Sequence, residues 1–104
     1  KFIILSLVLI FSSSFAVAGE WSQAGSITSI YVKPSKNGIY FLHDYTVSNC
    51  PFTKFYFLPS SQAMFEQTYS MLQQIYINGG NVKFFVNDCQ SDSYFPEIAE
   101  VEFK

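Results

Sequence analysis

The sequence predicts a mainly β domain with one helix, in the strand order β-β-β-α-β-β. Three observations support this: short segments rich in β-branched and aromatic residues, a single stretch of helical period, and turn residues between them. Five strands with a helix between the third and fourth is the element order of the OB-fold, a five-stranded Greek-key barrel. An open antiparallel sheet with the helix packed on one face is the alternative that the same pattern permits.

The first three predicted strands cover residues 27–33, 39–45 and 55–58. All three are rich in β-branched and aromatic side chains. Turn residues at 34–38 join the first two strands into a hairpin, because Asn and Gly adopt positive φ at low cost. Pro59 ends the third strand.

The predicted helix begins near Ser61, where the hydrophobic period changes to about 3.6 residues. Its apolar face carries Phe65, Thr68, Tyr69, Leu72, Ile75 and Tyr76. Three further apolar residues lie off this stripe: Met64, Met71 and Ile77. The hydroxyl of Ser60 or Ser61 is expected to cap the first turn, and residues 78–80 (Asn-Gly-Gly) to end the last one. Alternating residues then predict strands at 82–87 and 99–104.

The amino-terminal residues 1–18 have the features of a signal peptide. Lys1 precedes an apolar run over residues 2–11, which is shorter than the about 20 residues that a transmembrane helix needs. Small residues at Ala16 and Ala18 fit a signal peptidase site. A buried core helix or a retained anchor is the alternative.

Cleavage after Ala18 leaves a single domain over residues 19–104, which we expect in the periplasm or outside the cell. No later stretch is apolar enough to span a membrane. In an exported protein, Cys50 and Cys89 are expected to form a disulfide, because an even pair of cysteines oxidises there. The closed loop of about 40 residues would stabilise so small a domain strongly.

The composition excludes several functions. The chain contains 49% hydrophobic and 19% aromatic residues but only 13% charged ones, which argues against disorder. It has a net charge of −2 and no arginine, so we expect no nucleic-acid partner.

Several segments together are similar to the pentameric B subunits of bacterial AB-type toxins of the subtilase-cytotoxin kind. They are residues 20–21, 27–30, 40–41 and 77–82, a cysteine after the second strand, and a Ser-rich helix start with Phe65 and Tyr69. The resemblance implies an OB-fold, a homo-oligomeric ring of five subunits with helices around a pore, and glycan binding on the outer face. It carries over no individual binding residue. The chain departs from the family in being shorter after the fourth strand, with a compact loop at 90–96.

The residues predict no catalytic site, so the protein is not expected to be an enzyme. His43 adjoins Asp44, but neighbouring side chains of a strand point to opposite faces and cannot form a triad. No metal-ligand spacing involves the one histidine, and no cofactor is expected. A weak calcium site at Asp88 and Asp92 is the alternative to a solvated turn.

The aromatic residues predict a binding function. Flat rings stack on the apolar faces of pyranoses while neighbouring polar groups bind the hydroxyls. The rings expected off the core face are Trp21, Tyr31, Tyr40, Phe85, Tyr94 and Phe95. We expect ligand contacts from Tyr94 and Phe95 beside Asp92, and from Trp21; burial of the rings against the barrel ends or an oligomer partner is the alternative.

Two functions follow from this pattern. The first is an exported binding module that recognises a carbohydrate or another extracellular ligand through aromatic-rich loops. The second is a small periplasmic interaction subunit that self-associates or binds a protein partner.

Overall fold

The computed structural model describes residues 18–104. Except for Ala18, the predicted signal peptide lies outside the described residues. The elements in chain order are β1 (Glu20–Trp21), β2 (Ile27–Lys33), β3 (Gly38–His43), β4 (Tyr56–Pro59), α1 (Phe65–Asn78), β5 (Val82–Val86), β6 (Asp88–Cys89), β7 (Pro96–Glu97) and β8 (Glu100–Phe103).

The described strands form two sheets. One has three strands in the order β1-β5-β8, and the other has five in the order β2-β3-β4-β7-β6. The prediction of a mainly β domain with one helix is confirmed, whereas residues 18–104 do not form the expected closed five-stranded barrel. The sheets meet instead at two corners. At one corner, Gly25 forms a β-bridge with Val82. At the other, the Ile98 N–H donates to the Phe57 carbonyl of the larger sheet, and the Ala99 N–H donates to the Phe85 carbonyl of the smaller sheet.

The five longer strands coincide with the five predicted segments, within two residues at most ends. The two-residue strands β1, β6 and β7 were not predicted, because two residues are too few to show a hydrophobic period. β1 and β7 pair with strands distant in the chain, whereas β6 pairs with β7 across the intervening loop. Glu20 lies opposite Val86, for example, and Phe57 opposite Glu97.

The turn between β2 and β3 uses the residues that the sequence indicated. Pro34–Lys36 form one turn of 3-10 helix, and Asn37 follows with a φ of 56°. Gly38 begins β3 where space is short, because a Cβ atom there would lie 2.4 Å from the Phe57 ring. The expected hairpin is therefore present, with Lys33 opposite Gly38.

The helix ends as predicted but begins later. Gly79 has a φ of 80° and its N–H binds the Ile75 carbonyl, which is a glycine C-cap. The expected serine cap is wrong: the N-cap is Met64, with a φ of 60° and no side-chain cap. The N–H of Ser60 instead donates to the Asn37 carbonyl, so this serine belongs to a turn held against the hairpin.

The core lies between α1 and the inner faces of the sheets. Leu72 is the fully buried residue of the helix, and the half-buried Phe65, Tyr69 and Ile75 pack beside it. The strands contribute Ile39, Phe41, Tyr56, Leu58, Val82, Phe84 and Val86. The predicted stripe is thus largely confirmed, except that Tyr76 is exposed.

No helix within residues 18–104 has the length and hydropathy to cross a membrane. Cys50 and Cys89 form the predicted disulfide, with a Cα–Cα distance of 5.8 Å. It joins the segment after β3 to β6, because Cys89 belongs to that strand.

Replacing both cysteines by serine should lower the free energy of unfolding by about 4 kcal/mol, the loop-closure value for a loop of this length. Urea unfolding followed by circular dichroism measures it. Ser91→Ala, an exposed neighbour in the same loop, is the control and should change stability by less than about 0.5 kcal/mol. A loss below about 1 kcal/mol in the double variant would contradict the loop-closure account.

Candidate functional site

The outer face of the five-stranded sheet carries a second aromatic cluster, separate from the core. Tyr31, Tyr40 and Phe57 lie opposite one another on β2, β3 and β4. Because side chains alternate along a strand, their neighbours Phe41 and Tyr56 point into the core and these three rings point away from it. The sheet is therefore aromatic on both faces.

Two further rings complete this outer cluster. Phe55 precedes β4, and its ring centroid lies 5.5 Å from Tyr31 and 5.6 Å from Tyr40. Phe95, from the loop between β6 and β7, lies 5.4 Å from Phe55 and 5.8 Å from Tyr40. All four contacts are edge-on, the arrangement that aromatic quadrupoles favour. The rings therefore hold one another in fixed orientations.

The outer rings enclose a cleft of about 330 Å³, which we call the aromatic cleft. Its apolar lining is Tyr31, Tyr40, Phe55 and Phe95, and its polar lining is Lys33, Lys36 and Ser93. The Tyr40 ring is buried, whereas 44% of the Tyr31 side chain is exposed. Apolar walls with a few convergent polar groups are typical of small-molecule sites, and the volume lies within their usual range.

A buried polar pair fixes the base of the cleft. The Tyr40 hydroxyl lies 3.0 Å from the Gln90 Oε1 atom and 2.7 Å from its Nε2 atom. Gln90 is 5% exposed, so this hydrogen bonding satisfies an amide that would otherwise be costly to bury. The pair joins β3 to the loop that carries Phe95.

The loop at 90–96 is closed by its own backbone. The Gln90 N–H donates to the Phe95 carbonyl at 2.7 Å, and the Tyr94 N–H donates to the Gln90 carbonyl at 2.8 Å. Tyr94 adopts a φ of 63°, which is unusual for a residue other than glycine. The loop is thus a compact turn that presents Ser93 and Phe95 to the cleft.

An exposed ion pair links the two walls of the cleft. The Lys36 Nζ atom lies 2.9 Å from the Asp92 Oδ2 atom. The hydrogen bond from Lys36 lowers the pKa of the Asp92 carboxyl, and Asp92 in turn raises the pKa of Lys36. Both side chains are charged at neutral pH, so the aromatic cleft has an ammonium and a carboxylate at one edge.

The structure separates the four predicted ligand residues. Phe95 lines the aromatic cleft. Asp92 does not line it but forms an ion pair with Lys36, which does. Tyr94 is half exposed and turns toward Phe52, with 6.3 Å between the ring centroids. Trp21 lies on β1 of the other sheet, with its ring tilted by 46° against Phe85 at a centroid distance of 5.1 Å and the Lys83 ammonium above it. Three of the four therefore share one loop, and Trp21 does not join them.

Sequence reasoning missed Phe55, Lys33, Lys36 and Gln90. The sequence predicts that Tyr31 and Tyr40 lie off the core. The hairpin pairs Lys33 with Gly38, and this register places Tyr31 directly opposite Tyr40. Phe55 belongs to the predicted strand at 55–58, and alternation places it on the same face as Phe57, although in the structure it directly precedes β4; its contacts with Tyr31 and Phe95 depend on the long-range fold. Gln90 is detectable only once the fold buries it against Tyr40.

His43 is held by the backbone on both ring nitrogens. Its Nε2 atom lies 2.9 Å from the Val82 carbonyl, and its Nδ1 atom lies 3.1 Å from the Tyr45 N–H. Asp44 accepts a hydrogen bond from the Ser26 N–H. The two side chains therefore serve separate structural contacts. Residues 18–104 contain no cluster of three or more histidine, cysteine and carboxylate side chains that could hold a metal ion.

Two carboxylates face each other at the base of the loop, since Asp88 of β6 lies opposite Glu97 of β7. Partial burial and, less strongly, the charge of Asp88 raise the pKa of the Glu97 carboxyl. This repulsion acts on the short strand pair from which the loop extends.

No protein-family model matches the chain, and it has no significant match among curated proteins or solved structures. The resemblance to toxin B subunits therefore stays a prediction, and the function is argued from geometry.

Glu97→Gln should raise the melting temperature at pH 7, because folding favours the protonated form of a group whose folded-state pKa is raised. The stability that protonation gives is complete below the ordinary glutamate pKa of about 4.3 and is lost as pH rises through the raised value. The gain of the variant should therefore vanish near pH 4, as thermal unfolding at both pH values would show. Glu100→Gln, on exposed β8, is the control; a lower melting temperature for Glu97→Gln at pH 7 would contradict the prediction.

Proposed function

We propose that the protein is an exported, non-catalytic binding module that recognises a carbohydrate in the aromatic cleft. The observation that carries this proposal is the set of rings on the outer face of the sheet, fixed in orientation and left partly open to solvent. The core does not need them, because it is complete on the other face. Export is supported by the amino-terminal sequence and by the disulfide, which forms in oxidising compartments.

The lining of the aromatic cleft suits a pyranose. The exposed face of Tyr31 and the ring of Phe55 offer flat apolar surface for the C–H groups of a sugar. Around them, the ammonium groups of Lys33 and Lys36 are donors for sugar oxygens, and the Ser93 hydroxyl, which donates to Asp92 Oδ1, is an acceptor for a sugar hydroxyl. Because the rings already hold one another, little side-chain entropy is lost on binding.

The proposal includes an OB-fold-like arrangement. The longer strands and the helix keep the order β-β-β-α-β-β, with α1 between β4 and β5. The two sheets then correspond to a Greek-key barrel that is opened at its corners. This is the feature that the toxin B subunits would share.

Tyr31→Ala should reduce the affinity of the oxidised protein for any glycan that it binds by about tenfold, because a stacked ring contributes up to about 1.5 kcal/mol. A glycan array identifies the sugars bound, and isothermal titration measures the affinity of each variant. Tyr76→Ala is a matched control, since Tyr31 and Tyr76 are both 44% exposed. A protein that binds no glycan on the array, or a Tyr31 variant that binds as the wild type does, would overturn the proposal.

A second candidate function, self-association as an interaction subunit, is favoured by the outer surface of α1. Ile77 is 76% exposed and Met64 68%, and Met71 is also exposed. Met64 and Met71 lie two turns apart on one flank of the helix, and Ile77 lies about 120° around the axis from Met71. Three large exposed apolar side chains on and beside one helix exceed the scattered single residues that are normal on a monomer, and larger exposed apolar patches mark interfaces.

If α1 mediates self-association, Met71→Glu combined with Ile77→Glu should convert the oligomer to a monomer, because each change would place a carboxylate in an apolar contact. Light scattering of the oxidised wild type and variant measures the mass. Gln73→Glu, an exposed polar position of the same helix, is the control and should leave the mass unchanged. A monomeric wild type would exclude this function.

A further inference from the structure

A second, shallower hollow lies beside the aromatic cleft. It measures about 600 Å³ and is lined by Phe52, Thr53 and Lys54 together with Ser93 and Phe95. The last two residues also line the aromatic cleft. The two hollows therefore share one wall, which is formed by the loop at 90–96.

Phe95 is the aromatic residue between the two hollows. On one side its ring contacts Phe55 and Tyr40 of the aromatic cleft. On the other side its centroid lies 6.3 Å from that of Phe52. A single ring system thus continues from Tyr31 through Phe55 and Phe95 to Phe52.

The far end of this ring system is exposed. Phe52 is 57% exposed and Tyr94 is 50% exposed, although their rings lie 6.3 Å apart. Neither side chain belongs to the core. Two large rings held together at the surface provide apolar contact area that the fold itself does not use.

The position of the second hollow is fixed by the fold. The Phe52 N–H donates to the Tyr94 carbonyl at 3.4 Å, which joins the segment after Cys50 to the loop after Cys89. The Cys50–Cys89 disulfide links the same two segments covalently. The two hollows therefore keep one spacing, as the subsites for a connected ligand must.

We propose that the aromatic cleft and the second hollow are adjacent subsites of one groove, which binds an oligosaccharide of two or more pyranose units across Phe95. This inference rests on the carbohydrate function proposed above and extends it from a single sugar to a chain. Each subsite pairs flat rings with polar groups: Lys33, Lys36 and Ser93 in the cleft, and Thr53 and Lys54 in the second hollow. A repeated pairing of this kind matches a ligand whose units repeat.

The lining also distinguishes this ligand from an extended peptide. A peptide that adds to a sheet takes its hydrogen bonds from a free backbone edge. Although β2 is an edge strand of this sheet, the groove lies over the face of the sheet and is bounded by side chains from that face and from two loops. Its specificity therefore lies in rings, hydroxyls and ammonium groups.

The dependence of affinity on ligand length tests this groove. The probes are N-acetylglucosamine and its β1,4-linked dimer, trimer and tetramer, together with any glycan that binds on the array, shortened by one sugar at a time. Isothermal titration is performed with the oxidised wild type and with Phe52→Ala, Tyr31→Ala and the control Tyr76→Ala. Phe52 is exposed, so its removal should leave the fold intact, and circular dichroism checks this.

We expect the wild-type affinity to increase by about tenfold from one sugar to two, as the second ring contact is made. Phe52→Ala should abolish this increase and leave the affinity for the single sugar unchanged. Tyr31→Ala should weaken binding of every length. Tyr76→Ala should match the wild type throughout.

Two outcomes would contradict the inference in different ways. If the wild type binds one sugar as tightly as four, or if Phe52→Ala retains the length dependence, the proposal of two adjacent subsites is wrong, while the proposed carbohydrate function stands. If the wild type binds none of the probes and nothing on the array, the carbohydrate function itself is overturned.

Discussion

The Cys50–Cys89 disulfide determines which surfaces of this domain are covered. It holds the loop at 90–96 beside the segment that leads into β4, and through Phe95 this loop reaches the outer face of the larger sheet. Without that cover, the rings of Tyr40 and Phe57 would face solvent. The buried pair of Gln90 and Tyr40 completes the attachment, since an amide inside an apolar site favours a single position.

A sheet with two aromatic faces presents a small domain with a physical problem, because residues 18–104 provide one α-helix to cover it. The helix and the smaller sheet cover the inner face, where Leu72 and Phe84 are fully buried. On the outer face, the loop at 90–96 brings Phe95 against Tyr40 and Phe55 and leaves Tyr31 44% exposed. The aromatic cleft is the part of the outer face that this limited cover leaves open. Its position follows from the fold rather than from any local sequence motif.

The features predicted correctly from the sequence depend on local periodicity or on simple chemistry. The strand Val82–Val86 alternates clearly, α1 has a clear apolar stripe, and an even pair of cysteines behind a predicted signal peptide predicts a disulfide. The features missed depend on distant contacts. Met64 rather than a serine precedes the helix, because the Ser60 N–H is bound to Asn37 across the hairpin. The prediction of a closed barrel was also wrong, since strand propensity does not determine how the corners of the sheets join.

The candidate site also combines features that local sequence predicts with features that depend on distant contacts. Composition alone indicated that rings would be exposed, and alternation placed Tyr31 and Tyr40 off the core. Combining them with Phe55 and Phe95 requires the register of three strands and the course of a loop, which are long-range properties. Trp21 shows the limit of the approach: it is exposed, as expected, but it belongs to the other sheet.

The ion pair between Lys36 and Asp92 makes one edge of an otherwise rigid site responsive to its surroundings. Both groups are exposed, so their attraction is weak and is screened by dissolved salt. The walls behind them are held by ring contacts and a covalent bond, which salt does not weaken. Dissolved salt therefore weakens this one link between the β2–β3 turn and the loop at 90–96, while the ring contacts and the disulfide that hold the rest of the site are unaffected.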